Sequence, residues 1–116
     1  RMAAMIDRFR IFVFGNLTAG RMKNKIGVSL AVSWLRQGGI ETTHLAHILA
    51  FLTLEMIPAS VHQGISPLGA SAHASSMGSG DFDIQRMSGI ESDVSGLQSA
   101  RFIMRRALEL NRLMHK

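Results

Sequence analysis

Apolar residues fall into a few patterned stretches separated by polar, glycine-rich ones. Residues 25–34 hold a nearly continuous apolar run, with Ile26, Val28, Leu30, Val32 and Trp34 on one face and Gly27, Ser29, Ala31 and Ser33 on the other. From Ile26 onward this run carries no charge. That predicts a strand covered on both faces, in the middle of a parallel sheet, whose small-residue face lets a helix approach closely. Residues 41–55 change period. Leu45, Ile48, Leu49, Leu52 and Met56 form one helical stripe, which Ala46 and Ala50 widen, and this stripe is expected to be buried. Thr42 and Thr43 suit the helix start as capping hydroxyls, and Glu41 suits its positive end.

Met56–Val61 reads as a second, shorter strand, with Pro58 confining it to a strand start or an edge. Residues 97–114 read as the last helix, with Leu97, Ala100, Met104, Ala107, Leu108 and Asn111 on one stripe and Ser95 or Gly96 as its start. Met2, Met5, Ile6 and Phe9 predict a helix end over residues 1–10, and residues 11–24 a connection in which Ile11–Phe14 could form a short strand. Residues 63–96 are rich in Gly, Ser, Ala and His and read as a long loop, a feature that in a small domain is functional or mobile.

Strand, helix, strand, helix in that order predicts right-handed crossovers and a parallel α/β sheet. Two strands alone cannot bury both faces of each other, so further strands are expected from a preceding segment or another chain. A helical pattern running uncapped into Arg1 supports the same expectation. The 116 residues suffice for one domain, here expected to be the C-terminal half of one.

Composition narrows the chemistry. A 47% hydrophobic and 18% charged chain is expected to bury a core. It contains no cysteine, which removes disulfides, thiolate metal sites and cysteine nucleophiles within these residues and suits a reducing, cytoplasmic setting. No apolar run reaches the length of a membrane span. Charge is uneven: residues 1–36 hold seven Lys/Arg and one acid, residues 37–96 one Arg and six acids, and residues 97–116 five Lys/Arg and one acid. Basic ends could meet a polyanion, but there is no nucleic-acid motif and little aromatic surface for base stacking, so solvated faces are the expected reading.

Candidate chemistry concentrates in the turn after the first strand. Ser33, Trp34, Leu35, Arg36, Gln37, Gly38 and Gly39 would sit at a strand's carboxyl end, where ligands bind in open α/β sheets, and just before a helix N-terminus with free amides. Arg36 could meet a ligand phosphate or a neighbouring carboxylate. His44 and His47, spaced i, i+3, could ligate a metal, but no third ligand is evident and no metal is expected. His62 and His73 have no evident role. Asp81 with Asp83, and Glu91 with Asp93, read as solvated loop charges. No catalytic residue is assigned.

Several segments together resemble a known family. Met2-Ala-Ala-Met-Ile-Asp-Arg8, Lys25-Ile-Gly-Val28, Gly38-Gly-Ile-Glu-Thr-Thr43, Ser66-Pro-Leu-Gly-Ala-Ser71 and Ser99-Ala-Arg101 are similar, in order and spacing, to the C-terminal half of flavodoxin-like NADPH-dependent FMN reductases, the branch of multimeric flavodoxins with NAD(P)H:quinone oxidoreductase activity. The resemblance implies a flavodoxin-like, doubly wound five-stranded parallel sheet, of which this chain supplies the C-terminal strands and helices. It implies non-covalent FMN against Ser33–Gly39, NAD(P)H as co-substrate, a quinone, flavin or other acceptor, and a homo-oligomer (dimer or tetramer), with Ser66–Ala70 near the flavin pocket. The family's phosphate-binding loop belongs to its N-terminal half. Ile40 stands where the family has Gln, Leu68 where it has Tyr, and Thr53 where it has a histidine near the flavin. Trp34–Gln37 is bulkier and more cationic than the usual turn. These departures motivate an alternative, a redox-inactive flavodoxin-like interaction or regulatory module.

Overall fold

The computed structural model describes residues 4, 7, 8, 20–62, 65–81 and 89–115. The stripe Met2, Met5, Ile6 and Phe9 and the short strand at Ile11–Phe14 lie outside the described residues. The elements are β1 (Ile26–Gly27), β2 (Leu30–Ser33), α1 (Ile40–Thr53), β3 (Ile57–Pro58), β4 (Ala70–His73) and α2 (Val94–Met114), with 3₁₀ turns at Ser76–Gly78 and Ile90–Ser92. Among the described residues the architecture is α/β, with short parallel strands and two long helices.

Both ladders are parallel: β1 pairs with β3 (Ile26 opposite Ile57) and β2 with β4 (Leu30 opposite Ala70, Ser33 opposite His73). Backbone bonds join the two ladders into one ribbon. The carbonyls of Lys25, Gly27, Ser29 and Ser33 accept from the amides of Ile57, Ala59, Ala70 and Ala74. Alternate strand residues direct their backbone groups to opposite edges, so these four odd positions all face the same neighbour. That neighbour is β3, interrupted by residues 60–69 and resumed by β4. Pro58 is tolerated because the pairing amides are those of Ile57 and Ala59 on either side of it.

The two edges of this ribbon differ. Along the outer edge of β4, the amide of Ser71 donates to Ser99 Oγ (3.1 Å) and that of His73 to Asp93 Oδ2 (2.8 Å), so α2 caps it with its own side chains. Along the outer edge of β1 and β2, the even positions Ile26, Val28, Leu30 and Val32 meet no strand among the described residues.

The faces follow the strand's alternation. The small face lies under α1, where Gly27, Ser29, Ala31 and Ser33 are buried. A Cβ on Gly27 would stand 2.6 Å from the Phe51 ring, so the expected close approach of a helix is present. The large face lies under α2. Ala59, Ala70 and the fully buried Ile103 form its centre, joined by Ile26, Val28, Ala100, Ala107 and Leu110. Leu30 and Val32, expected to be covered, are 55% and 54% exposed.

Several expectations are corrected. In α1, the stripe Leu45, Leu49 and Leu52 faces outward, 51%, 65% and 55% exposed, and the buried positions are Ile40 and His44. The Gly/Ser face of the strand leaves room for a helix side chain that hydrogen-bonds to it, and His44 does so where leucine cannot. In α2, Leu97, Met104 and Leu108 are likewise exposed, while Gly96, Ser99 and Ile103 are buried against β4. Within 63–96, the long loop is broken by β4 and both 3₁₀ turns, and α2 begins at Val94 with Asp93 as its N-cap, accepting from the Gly96 amide at 2.9 Å. Thr43 does not cap α1 but bonds back to the Gly39 carbonyl. Gly39 itself takes the N-cap position at φ 77°, in the left-handed region.

Candidate functional site

A cavity of about 500 Å³ opens at the carboxyl ends of β2 and β4, the edge at which parallel α/β sheets bind ligands. One wall is the turn into α1, with Arg36, Gln37, Gly39 and Ile40. The other is Ile65, Ser66 and His73. A second cavity of about 410 Å³ adjoins it and shares Arg36, Ile65 and His73.

Of the seven turn residues singled out from the sequence, Arg36, Gln37 and Gly39 line the larger cavity. The others direct their polar groups into the turn itself or onto residues 75–80. Ser33 is buried and donates to the Leu35 carbonyl. The Gly38 amide closes the turn on the same carbonyl at 3.0 Å. Leu35 is half exposed and bridges to Ser79. Trp34 donates its indole N–H to the Gly80 carbonyl (2.9 Å), and Ser75 Oγ donates to the Trp34 carbonyl. Arg36 is fastened twice, through its amide to the Gly78 carbonyl (3.0 Å) and through Nη2 to the Met77 carbonyl (3.2 Å). The turn is thus held rigid by a second loop, a condition for presenting a side chain in fixed geometry.

Glycine brings the segment Ser66–Ser71 to the same place. A Cβ on Gly69 would stand 2.4 Å from the Ser29 carbonyl oxygen and 2.8 Å from His44 Cε1, so only glycine lets this segment cross so close to the strand. Ser66, the first residue of the segment, is buried on the cavity wall and accepts from the Leu68 amide at 3.2 Å.

Behind the cavity lies a polar network that sequence reasoning missed. Ser29 Oγ is 2.7 Å from His44 Nδ1 and 2.8 Å from His47 Nδ1, and His44 Nε2 is 2.9 Å from Ser71 Oγ. Ser29, His44 and Ser71 are all buried. A hydroxyl has one proton, so Ser29 donates to one imidazole and accepts from the other, and the two rings take opposite Nδ1 protonation states. Burial lowers the pKa of His44, the neighbouring His47 lowers it further, and Glu41 opposes both. Both nitrogens of His44 are therefore committed to serines. Among the described residues no cluster of three or more His, Cys, Asp or Glu could hold a metal ion.

His73 and Asp93 were also unassigned from sequence. His73 ends β4 with its Nδ1 3.6 Å from Asp93 Oδ2, and its Nε2 is buried without a partner among the described residues. Burial alone would raise the pKa of Asp93, but the amides of Gly96 and His73 and the His73 ring outweigh it and hold the carboxyl below its ordinary value. Asp93 was readable as a helix cap. His73 was not, because only the β2–β4 register places it opposite Ser33.

Comparison of the chain with protein-family models, with curated proteins and with solved structures finds no match. No helix among the described residues is long and apolar enough to cross a membrane.

Proposed function

We propose that these residues are the C-terminal half of a flavodoxin-like domain acting as an FMN-dependent NAD(P)H oxidoreductase. The observation that carries this reading is the cavity at the carboxyl ends of parallel β2 and β4, walled by the two segments, Gly38–Thr43 and Ser66–Ser71, that resemble the reductase family. Its size lies within the range of small-molecule sites, about 300–1,000 Å³.

The donor set also fits a flavin ring. Arg36 and Gln37 supply N–H donors, and the first turn of α1 adds backbone amides beside its positive end. Bound there, the flavin would supply hydride chemistry between NAD(P)H and a quinone, flavin or other acceptor. The chain's part is to fix the ring through the tied turn, to stabilise negative charge on it with Arg36, and to exclude water with Ile40 and Ile65. The exposed stripe Leu45, Leu49 and Leu52 supports a homo-oligomer.

The test is FMN binding and NAD(P)H oxidation by the full-length protein. Bound flavin absorbance and turnover are expected, and Arg36→Gln should weaken FMN by about tenfold, the order of one charged hydrogen bond. No FMN binding at micromolar concentration would sink the proposal. The second reading, a redox-inactive module, is favoured by Ile40. This residue is buried and apolar where the family places a hydrogen-bonding Gln. Flavin binding without NAD(P)H oxidation would select it.

A further inference from the structure

We propose that the outer flank of α2 and the adjoining edge of β1 form a docking surface for an acidic amphipathic helix. The surface lies at the amino end of β1, away from the cavity at the strand ends, and does not depend on the flavin reading. A groove of about 550 Å³ runs between Lys23–Val28 and α2. Its floor is apolar, with Ile26 and Val28 from the strand and Met104, Ala107 and Leu108 from the helix. Met104 and Leu108 are half exposed, and with Leu97, also exposed, they form one lane along α2 at i, i+7 and i+11.

Cations stand on both sides of this lane. Lys23 and Lys25 line the groove on the strand side. On the other side Arg101, Arg105 and Arg112 recur at i, i+4 and i+11, a second exposed lane of the helix. None of these three arginines has an ion pair among the described residues. The one acid of α2, Glu109, is turned to Arg106 at 3.1 Å, and Lys23 has Glu55 only at 4.0 Å. An apolar strip between two basic banks is complementary to a helix with an apolar stripe and acidic flanks, recognised by laying that stripe into the groove.

The same features select against other occupants. A strand added to the open edge would turn alternate side chains to the α1 face, away from the arginines. A lipid surface needs apolar side chains that stand proud, whereas Ile26 and Val28 lie half-buried on the floor of a groove. A nucleic-acid backbone is held by cations and leaves an apolar floor unmatched. A second copy meeting this surface through its own would set basic bank against basic bank.

The test uses the full 116-residue chain and a labelled synthetic peptide of about five helical turns, with a leucine stripe and glutamate on both sides of it, read by fluorescence anisotropy. Saturable one-to-one binding that weakens as salt rises is expected. Arg101→Gln combined with Arg105→Gln should weaken it about fivefold, and Leu108→Ser by a similar factor. Far-UV circular dichroism should stay unchanged, because all three side chains are exposed. Arg101→Glu combined with Arg105→Glu should transfer the preference to a peptide with lysine in place of each glutamate. Equal binding of the lysine peptide by the unaltered chain, equal binding of a scrambled glutamate peptide, or no saturable binding overturns the proposal. So does tighter binding to phosphatidylserine vesicles or to duplex DNA, or self-association that Leu108→Ser abolishes.

Discussion

Replacing His44 by leucine tests whether the polar network under α1 holds the helix in place. His44 is fully buried, with Nδ1 2.7 Å from Ser29 Oγ and Nε2 2.9 Å from Ser71 Oγ. Leucine removes both bonds. Ser29 keeps His47 as a partner at 2.8 Å, so its loss is one net hydrogen bond, about 0.5–1.5 kcal/mol. Ser71 Oγ has no other hydrogen bond among the described residues and is left unsatisfied, which costs about 1–3 kcal/mol. The added apolar burial returns about 1 kcal/mol, so His44→Leu should destabilise the chain by about 0.5–3.5 kcal/mol net. Urea denaturation followed by circular dichroism measures this directly. The second arm is a double-mutant cycle with Ser71→Ala. Removing the orphaned hydroxyl should recover part of the loss, giving a coupling of about 1–2 kcal/mol. A His44→Leu effect below about 0.5 kcal/mol, or strict additivity with Ser71→Ala, would refute the reasoning, because surface-like behaviour is incompatible with a sealed network.

Three further outcomes follow from the same structure. His44 has a lower pKa folded than unfolded, so the unfolded chain takes up the proton more readily. Stability should therefore be full above the ordinary histidine value of about 6.5 and decline as pH falls below it, and this decline should be shallower in His44→Leu by urea titration across pH. Ile103→Ala should cost about 2–5 kcal/mol, whereas Leu49→Ser should cost the monomer under about 0.5 kcal/mol, the reverse of the ranking expected if the leucine stripe were buried within the chain. Gly39→Ala should cost about 1 kcal/mol, from its φ of 77° alone, since nothing lies within 4 Å of the added Cβ. Gly69→Ala should cost more, about 3 kcal/mol, because the carbonyl of Ser29 cannot move aside. Equal melting temperatures for the two glycine variants would contradict this ordering.

Local pattern was enough to find the elements whose signal is local. The charge-free alternation at 26–33 and the apolar period of α1 announced strand and helix, and the Gly/Ser face of the strand announced a closely packed helix. The phase of the helices was not legible. Reading leucine as buried and histidine as exposed inverts α1, because a hydrogen-bonding strand face prefers His44 to Leu45 or Leu49. β4 was missed for a different reason: Ala70-Ser-Ala-His73 has no apolar alternation, and it is a strand only because the amides of Ala70 and Ala74 find the carbonyls of Ser29 and Ser33. The candidate site divides the same way. Arg36, Gln37 and Gly39 follow from a strand–turn–helix junction visible in sequence. His73 depends on β4 lying beside β2, a long-range fact, whereas Asp93 is a local cap on the helix that starts at Val94.

The side chains of Ser99 and Asp93 that close one margin of the ribbon have a consequence for self-association. Amyloid-like growth needs a free template at each end of every added unit, so that stacking can propagate without limit. Among the described residues one side is stoppered by a helix, and the Ile26–Val32 side is the one left open to a foreign strand. Two molecules that meet through it would each present a blocked margin to the next arrival, so the misassembly this topology permits is a terminated pair, not a fibre.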